Sequence, residues 1–190
     1  MPDIAIPEWN AMGLLPPFDP LKPTTFDRSP YPVRLLDVVM RFGSSPERRN
    51  ILRGFLAYRA ALHRLGLVCG FQWINGSFTE NIETIEKRPP ADIDVVSFFD
   101  TPAGFEPVGD DIEVFDQTTV KTRFKVDAYP VGMNELPNEQ LVTYSAYWYS
   151  MWSHRRNQAW KGFLRVDLAC TDDAQALQWL SQFDADEVPA

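Results

Sequence analysis

Three aspartates and a glycine-serine pair are the residues here whose types and spacing could do chemistry. Asp92-Ile93-Asp94 runs into Val95-Val96, and a lone Asp127 sits between Val126 and Ala128. Side chains alternate along a strand, so Asp92 and Asp94 share one face and Ile93 takes the other. Like charges that close repel, and cations offset the repulsion; magnesium favours such hard oxygen ligands. A charge at Asp127 is costly in an apolar strand unless it is paired or metal-bound, with Lys125 or an arginine as alternative partners. Upstream, Gly76-Ser77 ends a strand-like run. Glycine there lets the backbone approach a ligand, and a helix starting at Ser77 would aim free N–H groups and its positive end at an anion. A phosphate cradle facing three carboxylates is what phosphoryl or nucleotidyl transfer requires.

The elements that must position these groups are legible from periodicity. Residues 33–42 suit a short helix. Ser45-Pro46-Glu47 begins a longer one that ends at Gly66. Its polar side carries Arg48, Arg49, Arg53, Arg59 and Arg64, which reads as a solvated face. Residues 67–75 read as a strand. Phe78, Ile82 and Ile85 recur at helical spacing until Pro89-Pro90. Asp92–Phe99 reads as a strand, 100–118 as a loop with a short element at 112–115, and Arg123–Val131 as a strand. Pro137 to Trp152 should be helical and Lys161–Ala169 extended. Asp172 or Asp173 caps a last helix that buries Ala176, Leu177, Leu180 and Phe183. This order predicts an α+β domain over 33–190, a short mixed β-sheet flanked by helices. Residues 1–32 are proline-rich but hold Trp9, Leu14, Leu15 and Phe18, so they predict an N-terminal arm packed on that domain.

The chain has 190 residues, 45% of them hydrophobic, which suits one domain with a sizeable core. Its formal charge of −8 repels polyanions as a whole, so binding one needs local cations or metal. Arg155, Arg156 and Lys161 form the densest late basic cluster; they read either as a solvated helix end or as contacts to a triphosphate or nucleic acid. Tyr144, Tyr147, Trp148, Tyr149, Met151 and Trp152 read as core or as a surface on which a base could stack. Two distant cysteines and two scattered histidines argue against disulfide scaffolds and zinc. No run is long enough to cross a membrane, and a cytoplasmic protein is expected.

These motifs resemble the nucleotidyltransferase superfamily, which includes DNA polymerase beta, the aminoglycoside nucleotidyltransferases and the minimal nucleotidyltransferases of toxin-antitoxin modules. The matching residues are Ile74-Asn75-Gly76-Ser77, Asp92-Ile93-Asp94-Val95-Val96 and Val126-Asp127, within a motif core of 67–131. Gly70 to Phe78, Arg88 to Val96, Ser153 to Arg156 and Trp160 to Gly162 look like an uncharacterised bacterial branch of it. The resemblance implies Gly76 and Ser77 on the triphosphate, with Asp92, Asp94 and Asp127 as catalytic ligands of two Mg2+ ions, Mn2+ being an alternative. It implies transfer of a nucleoside monophosphate, from ATP or another triphosphate, to a hydroxyl of a protein, RNA or small molecule. The alternative within the same fold is a non-catalytic nucleotide-binding or antitoxin-like module. Two departures stand out. Ser77 to Asp92 spans 15 residues, and Phe78-Thr79-Glu80-Asn81 follows Ser77 where an arginine is usual. Phosphate contacts would then fall to Arg155, Arg156 or Lys161.

Overall fold

The computed structural model describes residues 5–183, and its centre is a five-stranded mixed sheet. The strands are β1 (Tyr31–Pro32), β2 (Gly70–Asn75), β3 (Ile93–Phe99), β4 (Val126–Gly132) and β5 (Leu164–Asp167), in the order β1-β5-β2-β3-β4. β2 runs antiparallel to both β3 and β5, whereas β3–β4 and β1–β5 are parallel. The helices are α1 (Leu35–Phe42), α2 (Pro46–Arg64), α3 (Ile82–Ile85), α4 (Gln117–Phe124), α5 (Asn138–Trp152) and α6 (Asp173–Ser181). The class is α+β, as the order of elements predicts.

Alternation along the strands divides the core in two. Ile74, Ile93, Val95, Val126, Ala128, Leu164 and Val166 face one way and pack with α1, α2, α4 and α6. Trp73, Val96, Phe98 and Val131 face the other way and pack with Phe163 and with Trp148 and Trp152 of α5. Part of the segment before β1 packs on the domain: Leu14 and Leu15 are buried, and Trp9 packs edge-on against Phe42, whereas Leu21 and Phe26 are exposed.

Several local expectations are corrected. Ser77 opens only a three-residue 3-10 turn (Ser77–Thr79), and α3 is a single turn, so no long helix directs a dipole at the glycine-serine site. Residues 117–124, whose ends fall in the expected loop (to 118) and strand (from 123), form α4: Asp116 caps it by accepting from the Thr119 N–H, and Lys125 ends it in the left-handed region. β4 therefore starts at Val126, not at Arg123. Asp172 makes no side-chain cap to α6, and Leu177 is exposed rather than buried.

The largest correction concerns α2. Arg48, Arg49 and Arg59 are buried rather than solvated. Arg59 donates to both carboxylate oxygens of Asp173 (2.9 and 2.8 Å), to Gln72 Oε1 (2.7 Å) and to the carbonyls of Asp167, Leu168 and Ala169. It ties β2, the end of β5 and α6 to α2. Burying a guanidinium costs several kcal/mol, and this full set of acceptors offsets it. Arg59→Ala should therefore cost roughly 3–5 kcal/mol of unfolding free energy in urea, because it strands Asp173 and four other acceptors. Arg64→Ala, on the exposed side, should stay within about 0.5 kcal/mol.

Candidate functional site

The strand register builds the site. Asn75 of β2 lies opposite Asp94 of β3, and Asp94 lies opposite Asp127 of β4. All three point to the α5 face of the sheet, with Asp92 two residues before Asp94. Gly76 follows with φ +84°, a conformation that side chains resist; a Cβ there would stand 2.7 Å from Asp94 Oδ2. Glycine is thus required both by the turn and by the carboxylate beside it. Asn75 anchors the strand end by donating to the Trp152 carbonyl (3.0 Å), and Thr79 Oγ1 donates back to Asn75 Oδ1 (3.3 Å).

A cleft of about 880 Å³ opens over this row. Gly76, Ser77, Asp94, Asp127, Arg155, Arg156 and Lys161 all line it. So do Tyr147 and Trp148 of α5; Trp148 is in the core, and Tyr147 is exposed. Asp92 is absent from that lining but joins the row through Lys121. The segment 153–162, with the Ser-His-Arg-Arg and Trp-Lys-Gly motifs, folds back on itself: Lys161 N–H donates to the Ser153 carbonyl and Arg155 N–H to that of Ala159. This fold-back brings Arg155, Arg156 and Lys161 to one cleft. Ser153 and His154 make no mutual hydrogen bond; Ser153 Oγ donates to the Ser150 carbonyl and His154 Nδ1 contacts the Arg155 carbonyl.

The cations are not equally available. Lys161 is buried and donates to Glu80 Oε1 (2.7 Å) and the Gly76 carbonyl (3.3 Å). Arg155 pairs with Glu80 (3.3 Å) and with Glu86. Arg156 is exposed on the cleft and forms no ion pair among the described residues. Where an arginine might follow Ser77, Phe78 instead plugs the core, and Arg48 reaches in from α2 to donate to the carbonyls of Phe78 and Glu80 (2.7 Å each) and to Glu83. That guanidinium holds the turn from behind; it is buried and does not line the cleft.

Sequence reasoning missed Lys121 and Gln117, both on α4. The Lys121 ammonium lies 2.7 Å from Asp92 Oδ2 and 3.1 Å from Asp127 Oδ2. Gln117 Nε2 donates to the other oxygen of Asp127. The partner of Asp127 is therefore Lys121, not Lys125 or an arginine. Hydrogen bonding to Asp92 raises the Lys121 pKa further, against the opposing effect of burial. Among the described residues, no three metal-binding side chains are gathered closely enough to hold an ion as they stand. The donor set nonetheless fits a hard divalent cation by type: carboxylate oxygens in one row, two of them already sharing a cation.

Asp94 carries the electrostatic strain. Burial, then the charges of Asp92 and Asp127, push its pKa up from 3.8 to about 6, while Lys161 and Lys121 pull the other way. The folded state thus holds this proton more tightly than the unfolded chain. Below the unfolded value both states are protonated and Asp94 contributes nothing. As pH rises from about 4 through 6, ionising it destabilises the fold, by on the order of 2–3 kcal/mol. Asp94→Asn, in chelator, should raise the thermal midpoint at pH 8 and leave it nearly unchanged below pH 4.

The chain matches the model of a family of unknown function (DUF6932) over residues 7–167. No curated protein and no solved structure matches it. The matched span holds β1 through β5, every carboxylate of the row and every cation of the cleft, and the chain belongs to the DUF6932 family.

Proposed function

We propose that the cleft binds a nucleoside triphosphate and, with Mg2+ or Mn2+ on Asp92, Asp94 and Asp127, transfers its nucleoside monophosphate to a hydroxyl acceptor on a nucleotidyltransferase-like fold. The observation that carries this reading is the register of Asp94 against Asp127 beside the Gly76-Ser77 turn, all in one cleft with Arg155, Arg156 and Lys161. A cleft near 900 Å³ with an aromatic flank is the size and character of a site for a ligand as large as a nucleotide.

When bound, the metal would neutralise the phosphates and acidify the attacking hydroxyl. The chain's own contributions follow from position. Asp92, Asp94 and Asp127 would supply its ligands. Asp127, at the outer strand, would also orient the acceptor hydroxyl and take its proton. Gly76 lets the backbone come close, and the Ser77 hydroxyl offers a donor to phosphate. Arg156, with no carboxylate paired to it among the described residues, would meet the triphosphate most directly and stabilise charge developing on pyrophosphate. Tyr147 and Trp148 would flank the base.

One observation favours a second reading, a nucleotide-binding or antitoxin-like module without turnover. Lys121 already neutralises Asp92 and Asp127, and Arg155 is held by two glutamates. Mg2+-dependent release of pyrophosphate from labelled nucleoside triphosphates separates the two. The wild type should release it, and Asp94→Asn and Asp127→Asn should not. Binding of triphosphate without release by the wild type would select the module. Arg156→Gln should weaken triphosphate binding by about 1.5–3 kcal/mol in calorimetry, the scale of a hydrogen bond to a charged group, and leave the thermal midpoint unchanged.

A further inference from the structure

We propose that Lys121 is the resident cation of the carboxylate row: it holds Asp92 and Asp127 together in the metal-free protein and must leave before a divalent ion can load. This rests on the reading of the row as a metal site. The geometry is specific. One ammonium contacts an oxygen of each outer acid, at 2.7 and 3.1 Å, and those oxygens are the donors a metal would take. Two cations cannot share them, because each would be desolvated against the other's charge. Asp94, the central acid, has no hydrogen bond from Lys121.

Lys121 also has somewhere to go. Its side chain is 49% exposed on α4, beside a second, smaller cavity of about 290 Å³ lined by Gln117, Thr118, Lys121, Thr122 and Asp127. Asp127 is the residue that both cavities share. Rotating the flexible lysine stem towards that cavity would free Asp92 and Asp127 without moving the helix. Gln117 would keep Asp127 oriented meanwhile, since it holds the oxygen that Lys121 does not. Metal affinity is then an exchange quantity, set as much by the cation released as by the ion taken up.

The test is calorimetric titration of the full chain with Mn2+ alone, comparing wild type, Lys121→Met and Lys121→Arg. Lys121→Met should bind Mn2+ at least tenfold more tightly, and Lys121→Arg, which keeps the charge, should not. A second readout follows the lysine itself. Adding Mn2+ to the wild type should raise acylation of Lys121 by an amine-directed reagent several-fold, read by peptide mass spectrometry, because the amine no longer sits between the two carboxylates and is more accessible. Mn2+ binding with unchanged or weaker affinity in Lys121→Met, or with unchanged acylation, overturns the exchange and leaves the metal reading standing. No Mn2+ binding by any of the three proteins overturns both.

Discussion

Everything at the cleft depends on the register of three neighbouring strands. Asn75, Asp94 and Asp127 stand in one row because β2 and β3 pair antiparallel and β3 and β4 pair parallel at those residues. Side chains have a period of two, so a slip of one residue would turn the acids into the helical core and the valines out to the cleft. The apolar residues between the acids prevent that slip. Ile93 and Val95 are fully buried on the opposite face, as is Val126 beside Asp127. Three carboxylates that would repel each other in solution are thus kept together by hydrophobic burial on the far side of the same strands.

The buried arginines of α2 complete that frame. Arg48 collects two carbonyls and a glutamate from the segment after Gly76, and Arg59 collects the end of β5 and the start of α6. Both use the fork of the guanidinium to satisfy irregular backbone that no strand or helix would satisfy. Burial is the largest single effect on the Glu83 carboxyl and would raise its pKa, yet the Arg48 hydrogen bond, a backbone hydrogen bond and the Arg48 charge together lower it. Charge inside this domain is therefore structural on the helical side of the sheet and, on the α5 side, gathered where a ligand can reach it.

How much of this was legible in the sequence follows from how local each signal is. The acidic row was readable, because strand alternation and β-branched neighbours declare themselves within seven residues. The α+β class followed from the same periodicities. Lys121 and Gln117 were not readable. Their helix has only Val120 and Phe124 as buried apolar residues and three threonines, so its pattern is faint, and a neighbouring strand reading absorbed its last turn. The arginines of α2 misled for the opposite reason. Five cations on one helix resemble a wet surface until the partners arrive, and those partners lie as far as 127 residues away. Phe78, Ile82 and Ile85 keep helical spacing through the turn after Ser77 and so predict a helix there, although only Phe78 and Ile82 reach full burial.

The pairing of β1 with β5 has a consequence for biosynthesis. Ser29 and Phe163 exchange hydrogen bonds across 134 residues, and the Gly162 N–H donates to the Leu15 carbonyl, where any side chain at Gly162 would collide with Pro16. Leu15 is translated early, yet the Gly162 N–H from which its carbonyl accepts is made only after β1 to β4. Until then this join between the N-terminal segment and the sheet cannot form. A chain released before Gly162 would lack that join, and one released a little earlier would also lack the Lys161 that lines the cleft.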